Sequence, residues 1–212
     1  MITSFKNILV LAPHTDDGEL GAGGTIARLV EEGANVYYAA FSTAEESVPE
    51  GLPKNILKTE VMTATKELGI TPENLFVYNF QVRKLNYVRQ EILEELIKIR
   101  RDIEIDLVIM PSLNDIHQDH KTIAEEGLRA FKAKTILGYE LIWNNLTFDT
   151  SAFVKLKKHH VDAKVAALAK YKSQEGRAYM SEEFIFSLAH TRGVQIGTQY
   201  SEAFEIVRWV LS

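Results

Sequence analysis

The chain's 212 residues, 46% of them hydrophobic, suffice for a core in one domain, 1–212, and no repeat, low-complexity tract or linker divides them. A formal charge of -5 and a pI near 5.7, with no Lys/Arg cluster interleaved with aromatics, argue against nucleic acid as a partner, and the absence of cysteine excludes disulfides and thiolate metal sites. No leader-like N-terminus and no apolar run of bilayer length is present, so the expectation is a cytoplasmic protein without membrane contact.

Short runs of Val, Ile, Leu, Phe and Tyr alternate with longer segments of helical periodicity, which is the rhythm of βαβ units. A strand is expected over 7–13, then a Gly-rich turn and a helix to Glu32 that stops at Gly33. A second strand over 35–41 enters a loop, 42–53, rich in Glu, Pro and Gly, which is a candidate lid or binding loop. There follow a helix over 54–68 ended by Gly69, a strand over 75–80, a helix over 87–101 and a strand over 106–111. A helix over 120–132 and a fifth strand over 135–141 complete the regular part. Beyond it lie a helix near 163–171, a helical stretch around 182–189 and a last apolar segment, 203–211.

Strands apolar on both faces belong to a parallel sheet covered on both sides by helices. The expected fold is a Rossmann-like α/β three-layer sandwich with a mainly parallel sheet, order 3-2-1-4 plus further strands.

The turn after the first strand reads PHTDDGELGAGG, 13–24. His14 and Asp17 stand three residues apart on a tight turn and can reach one cation, while Asp16 between them points elsewhere and can serve as a base. Other readings compete. Asp16 and Glu19 have the form of a loose capping box, and Gly21, Gly23 and Gly24 resemble a dinucleotide turn. The order GxGxxG is absent, however, and two adjacent acids would repel a pyrophosphate.

After the fourth strand stands PSLNDIHQDH, 111–120. Alone, its histidines read as hydrogen-bonded structural residues, and Asp119 as a helix cap. In the order 3-2-1-4, strands one and four adjoin where the winding reverses, so both loops face one crevice. His14, Asp17 and His120 then offer three ligands and leave a fourth position for water, the pattern of catalytic zinc, although such a set accepts other divalent cations. Asp16 is the candidate general base. His117, if protonated and held by Asp119 or Asp115, would stabilise an oxyanion.

At these residues the sequence resembles the LmbE-like, or PIG-L, deacetylase family, whose motifs read HPDDxExGxGG and HPDH. They stand here as HTDDGELGAGG, 14–24, and HQDH, 117–120; the segments KVAALAKYKSQ, 164–174, and RGVQIGTQYSEAFEIV, 192–207, are also similar to stretches of that family. The resemblance implies zinc on His14, Asp17 and His120, Asp16 as base, His117 as electrophilic or acid group and Asp119 orienting His117. It further implies hydrolysis of an N-acetyl group, mostly from N-acetylglucosamine units or their conjugates.

Two prolines of the motifs are replaced, by Thr15 and Gln118, which removes rigidity but no functional atom. Ala44, Glu45 and Glu46 stand where the family often has a Gly-Glu turn, which leaves the substrate open. His159 and His160 read as a solvated helix start rather than a second metal site, and His190 as structural. Arg192 reads as a surface ion pair or an anion contact, and Tyr37 and Tyr38 as sheet packing.

The expectation is a zinc N-deacetylase acting on a small N-acetylated amino sugar or its conjugate. Deacylation of a non-sugar amide and a non-catalytic metal- or nucleotide-binding module are the alternatives, and a homo-oligomer is compatible with either.

Overall fold

The computed structural model describes residues 5–210. Strands β1 (Asn7–His14), β2 (Asn35–Ser42), β3 (Leu75–Val77), β4 (Leu107–Pro111) and β5 (Thr135–Tyr139) are mutually parallel. The seventh, β7 (Tyr200–Arg208), lies antiparallel between β5 and β6 (Ala152–Leu156). The resulting seven-stranded sheet has the order β3-β2-β1-β4-β5-β7-β6.

Because successive strand residues face opposite ways, β1 feeds two cores. Ile8, Val10 and Ala12 pack beneath α1 (Asp17–Glu31), α2 (Ile56–Glu67), α5 (Lys158–Leu168) and α6 (Glu182–Gln195). Leu9 and Leu11 pack beneath α3 (Arg89–Asp102) and α4 (Gln118–Ala130). This is the expected α/β arrangement with helices on both faces.

Differences from the sequence reading lie at edges and element ends. β6 was not anticipated: it is an edge strand of five residues, partly exposed and interrupted by Lys155, so it lacks an apolar run. α5 starts five residues before 163, because its first turn, KHHV, carries almost no apolar signal. α6 runs on to Gln195 and β7 starts at Tyr200; Leu211 of the expected last segment lies outside the described residues. β3 ends at Val77, although the N–H groups of Tyr78 and Phe80 still donate to the carbonyls of Ala40 and Phe41.

The glycines of α1 serve packing. A Cβ on Gly18 would sit 2.5 Å from Tyr38 Cε2, and one on Gly21 would collide with Cγ and Cδ2 of Tyr139. Their spacing lets the helix lie directly on two aromatic rings of the sheet, and the dinucleotide reading loses its basis. Gly21→Ala should therefore cost about 1–3 kcal/mol by overpacking, read as a lower urea midpoint at constant slope. An unshifted midpoint would refute the contact.

The family-like segments near the C-terminus also act on α1. Glu202 on β7 accepts from the N–H groups of Gly24 (3.0 Å) and Thr25 (2.7 Å) and from Lys164 Nζ (2.7 Å). Lys164 Nζ also donates to the Leu20 carbonyl at 2.7 Å. Ser173 binds buried Glu60 through its N–H and hydroxyl. Beneath the first motif, buried Glu19 meets Tyr38 and Tyr171, whose hydroxyls also contact the Thr15 carbonyl at 2.9 and 2.7 Å. Burial pushes the Glu19 carboxyl up to about 8, and a protonated Glu19 can donate to one tyrosine hydroxyl while both phenols donate to the Thr15 carbonyl. Tyr38 thus does more than pack: it buttresses the turn that carries His14 and Asp17.

Candidate metal centre

β1 and β4 are hydrogen-bonded neighbours, with Ile8 opposite Leu107 and Val10 opposite Ile109. Their C-terminal ends therefore deliver two loops to one crevice at the point where the winding reverses. His14 ends β1 and Asp17 opens α1; His117 caps α4, and Asp119 and His120 lie in its first turn.

Three side-chain atoms converge. Asp17 Oδ2 lies 3.0 Å from His14 Nδ1 and 3.3 Å from His120 Nε2, and the two ring nitrogens are 3.3 Å apart. A tetrahedral ion with bonds of about 2.0–2.1 Å requires ligand separations of about 3.3–3.4 Å, so the triangle has the size of one face of a zinc tetrahedron. Each ring's remaining nitrogen is held by a carboxylate: His14 Nε2 by Asp119 Oδ2 at 3.0 Å, His120 Nδ1 by Asp115 Oδ2 at 2.7 Å. Such outer carboxylates fix the ring orientation and the tautomer that a cation needs. The residues present fit a zinc ion.

The electrostatics favour positive charge here. Burial alone would lower both rings, but Asp17 with Asp119 raises His14 to about 9, and Asp17 with Asp115 raises His120 to about 10. Burial would raise Asp17, yet the two rings beside it hold it well below the usual carboxylate range. Asp16 is pushed up to about 6, by burial first and then by Asp17.

Asp16 is not part of the triangle, and although it stands at the N-cap of α1 its side chain makes no cap hydrogen bond. Glu19 turns to the tyrosines instead of back to the helix end, so the capping-box reading is corrected. The expectations for His117 and Asp119 also change. The Asp119 carboxylate sits on His14, and only its N–H meets His117, donating to Nδ1 at 3.2 Å. Asp115 accepts the His117 N–H at 2.8 Å while its other oxygen holds His120, so neither acid grips the His117 ring. Asp119 is the acid that holds His14, and the cap of α4 is His117. Burial and the neighbouring His120 and His14 lower His117, which disfavours the protonated ring. With Nδ1 accepting, the neutral ring carries its proton on Nε2, as a donor to the crevice.

The triangle floors a cleft of about 340 Å³. Ala44 and Ser47, from the 42–53 loop, and Arg83, Trp143, Arg177 and Tyr179 line its walls. Trp143 stacks on Tyr179, ring centroids 4.3 Å apart at 16°. None of these last four was anticipated, since they stand on connecting segments without periodicity.

The remaining candidates are structural. Arg192 forms a two-pronged, largely buried ion pair with Glu140, and His190 Nδ1 meets the Gln199 carbonyl at 3.0 Å. His159 and His160 both bond Glu31. His160 is buried rather than solvated, and its Nδ1 accepts the Lys157 N–H at 3.1 Å. That bond leaves the proton of the neutral ring on Nε2, which faces Glu31, so this cluster is a helix cap and not a metal site.

Residues 9–131, more than half the chain, match the PIG-L family, described as GlcNAc-PI de-N-acetylase. The chain belongs to this family. Among its PIG-L relatives, the uncharacterized deacetylase YaiS of Escherichia coli (strain K12) is 30% identical over 174 residues, 79% of this chain and 91% of that protein. The N,N'-diacetylchitobiose deacetylase of Pyrococcus horikoshii superimposes with a TM-score of 0.81 at 21% identity, covering 97% of this chain and 85% of that one. GalB of Pseudomonas putida KT2440, a 4-carboxy-2-hydroxymuconate hydratase, superimposes with a TM-score of 0.79 at 20% identity, covering 98% of each chain. The PIG-L fold is thus common to different reactions, and no helix among the described residues is long and apolar enough to cross a membrane.

Proposed function

We propose that the chain is a zinc-dependent N-deacetylase of a small N-acetylated amino sugar or its conjugate. The observation that carries this reading is the triangle of His14, Asp17 and His120, its rings held by Asp119 and Asp115. The deacetylases among its relatives direct the reading to an N-acetyl amide, and at 30% identity YaiS weighs more than the shared fold of the hydratase.

When bound, zinc supplies Lewis-acid polarisation of the carbonyl and lowers the pKa of water towards about 7. Asp16, on the cleft floor and outside the triangle, takes the proton of the attacking water as its oxygen bonds to the acyl carbon. His117 donates from Nε2 to the carbonyl oxygen as charge develops there. Asp16 then returns its proton to the departing nitrogen as the C–N bond breaks, leaving a free amine and acetic acid, which ionises to acetate in solution. Another divalent cation would suit the same nitrogen and oxygen donors.

The test is metal content by mass spectrometry together with acetate release from a panel of N-acetylglucosamine derivatives, with an N-acetyl amino acid as the non-sugar arm. Release from the sugars is expected. Release from the amino acid alone would move the substrate outside sugars, and none from any amide by metal-loaded protein would favour a binding module.

A further inference from the structure

The arginines divide by partner. Arg28, Arg89, Arg101, Arg129 and Arg192 each meet a carboxylate, and two more donate to the main-chain carbonyls of Ala130 and Lys132. Among the described residues only Arg83 and Arg177 have neither kind of partner, and both line the cleft over the metal triangle. The side chain of Arg83 has a marginal contact, Nη2 to Ser47 Oγ at 3.5 Å; Arg177 Nη1 donates to the Tyr179 hydroxyl at 2.6 Å. Both arginines are exposed.

The backbone supports a function for Arg83. Among the described residues it and Ala44 are the non-glycine residues with positive φ, 65° and 46°, and both line this cleft. Left-handed backbone is unfavourable for an L residue and persists where surrounding contacts enforce it, most often at ligand sites. Here the enforcing contact is the Arg83 N–H donating to Asp119 Oδ2 at 2.6 Å, on the same oxygen that holds His14. The strained turn therefore ties the place of a free guanidinium to the metal triangle.

From this arrangement we infer that Arg83 and Arg177 form an oxyanion-binding wall for a phosphate or carboxylate that the substrate carries beside its N-acetylated ring. The identity of the reacting amide rests on the deacetylase reading above. A guanidinium matches either anion with two parallel N–H donors, and phosphate and carboxylate share that chemistry. The two guanidiniums attract the anionic group to the wall, which leaves the neutral amide to reach the triangle. The Trp143–Tyr179 stack offers a flat apolar face for the ring between, and the Arg177 guanidinium, 5.8 Å from the Tyr179 ring centre, is already placed along it.

The test compares kcat/KM for N-acetylglucosamine 1-phosphate, N-acetylmuramic acid and the neutral methyl glycoside of N-acetylglucosamine. Wild-type protein, Arg83→Gln, Arg177→Gln and the conservative Arg83→Lys are used, with Arg101→Gln on α3 as a remote control. An anionic substrate should be preferred about tenfold or more, and the arm that shows the preference identifies phosphate or carboxylate. Each Gln variant should lose most of that preference through KM for the anionic substrates, by more than any loss on the neutral glycoside, while Arg101→Gln keeps all three rates; Arg83→Lys should recover part of it. Equal treatment of all substrates by wild type overturns the inference, and so does a Gln variant that slows all three alike, since the arginine would then only hold the Ser47 loop. If no substrate releases acetate, the deacetylase reading fails and calorimetric titration of the sugar phosphate decides the wall separately. Saturable binding lost in both Gln variants upholds it; absent or undiminished binding overturns it.

Discussion

Asp16→Asn is expected to lower acetate release by about 10²–10⁴-fold while metal content stays at the wild-type level, the range lost with a general base. The substitution is close to isosteric, so the cleft keeps its shape, but an amide oxygen cannot take and return a proton. The prediction separates three roles that the sequence left in competition. A metal ligand at 16 would show as lost zinc, yet Asp17 and not Asp16 completes the triangle with the two rings. A helix cap would show as stability and turnover both near wild type, since Asn caps as well as Asp, and the Asp16 side chain in any case makes no cap hydrogen bond. Metal retained, fold retained and turnover lost is the combination reserved for a base. Metal content is read by mass spectrometry, stability by urea unfolding and turnover by acetate release. Zinc lost together with activity would remove Asp16 from the base role.

What could be read in advance divides along physical lines. β1, β2, β4 and β5 were legible because both faces are largely buried and their central runs are apolar; β6 was not, because an edge strand with Lys155 turned outward looks like a loop. The convergence of His14, Asp17 and His120 was legible because it needs only residue type and the adjacency of β1 and β4, both consequences of chain order. Which acid holds which ring was not. That choice depends on the path of 112–117 and on the turn of α4, which puts the Asp119 carboxylate on His14 and leaves Asp115 to His120. The walls were invisible for a related reason. Arg83 takes its place through a left-handed backbone pinned by a residue 36 positions away, and nothing local marks it.

These two acids carry the second large expectation: Asp115→Asn and Asp119→Asn should each weaken zinc binding about 10–100-fold, as loss of an outer-shell partner does. The cause is the tautomer. In Asp115→Asn the new side-chain amide can keep the His117 N–H on its oxygen, but then it presents NH₂ to His120 Nδ1, where a carboxylate oxygen stood at 2.7 Å. Nδ1 must become the acceptor, and the ring proton moves to Nε2, the nitrogen 3.3 Å from Asp17 where the cation would bind. Asp119→Asn brings the same conflict to His14 when its NH₂ takes the Oδ2 side, and turned over it faces the Leu85 N–H with NH₂ instead. The two oxygens of Asp119 also take the N–H groups of Arg83, at 2.6 Å, and Leu85, at 3.2 Å, and an amide has one acceptor oxygen for both sides. A buried N–H is left without a partner, at a cost of about 1–3 kcal/mol. Competition with a chromophoric chelator should therefore show both variants weakened, while the urea midpoint falls for Asp119→Asn and stays near wild type for Asp115→Asn. Because Asp119 also enforces the backbone of Arg83, its variant alone should blunt discrimination for an anionic substrate. Wild-type zinc affinity in Asp115→Asn would mean that His120 does not depend on its carboxylate, and the centre would then need a different set of ligands.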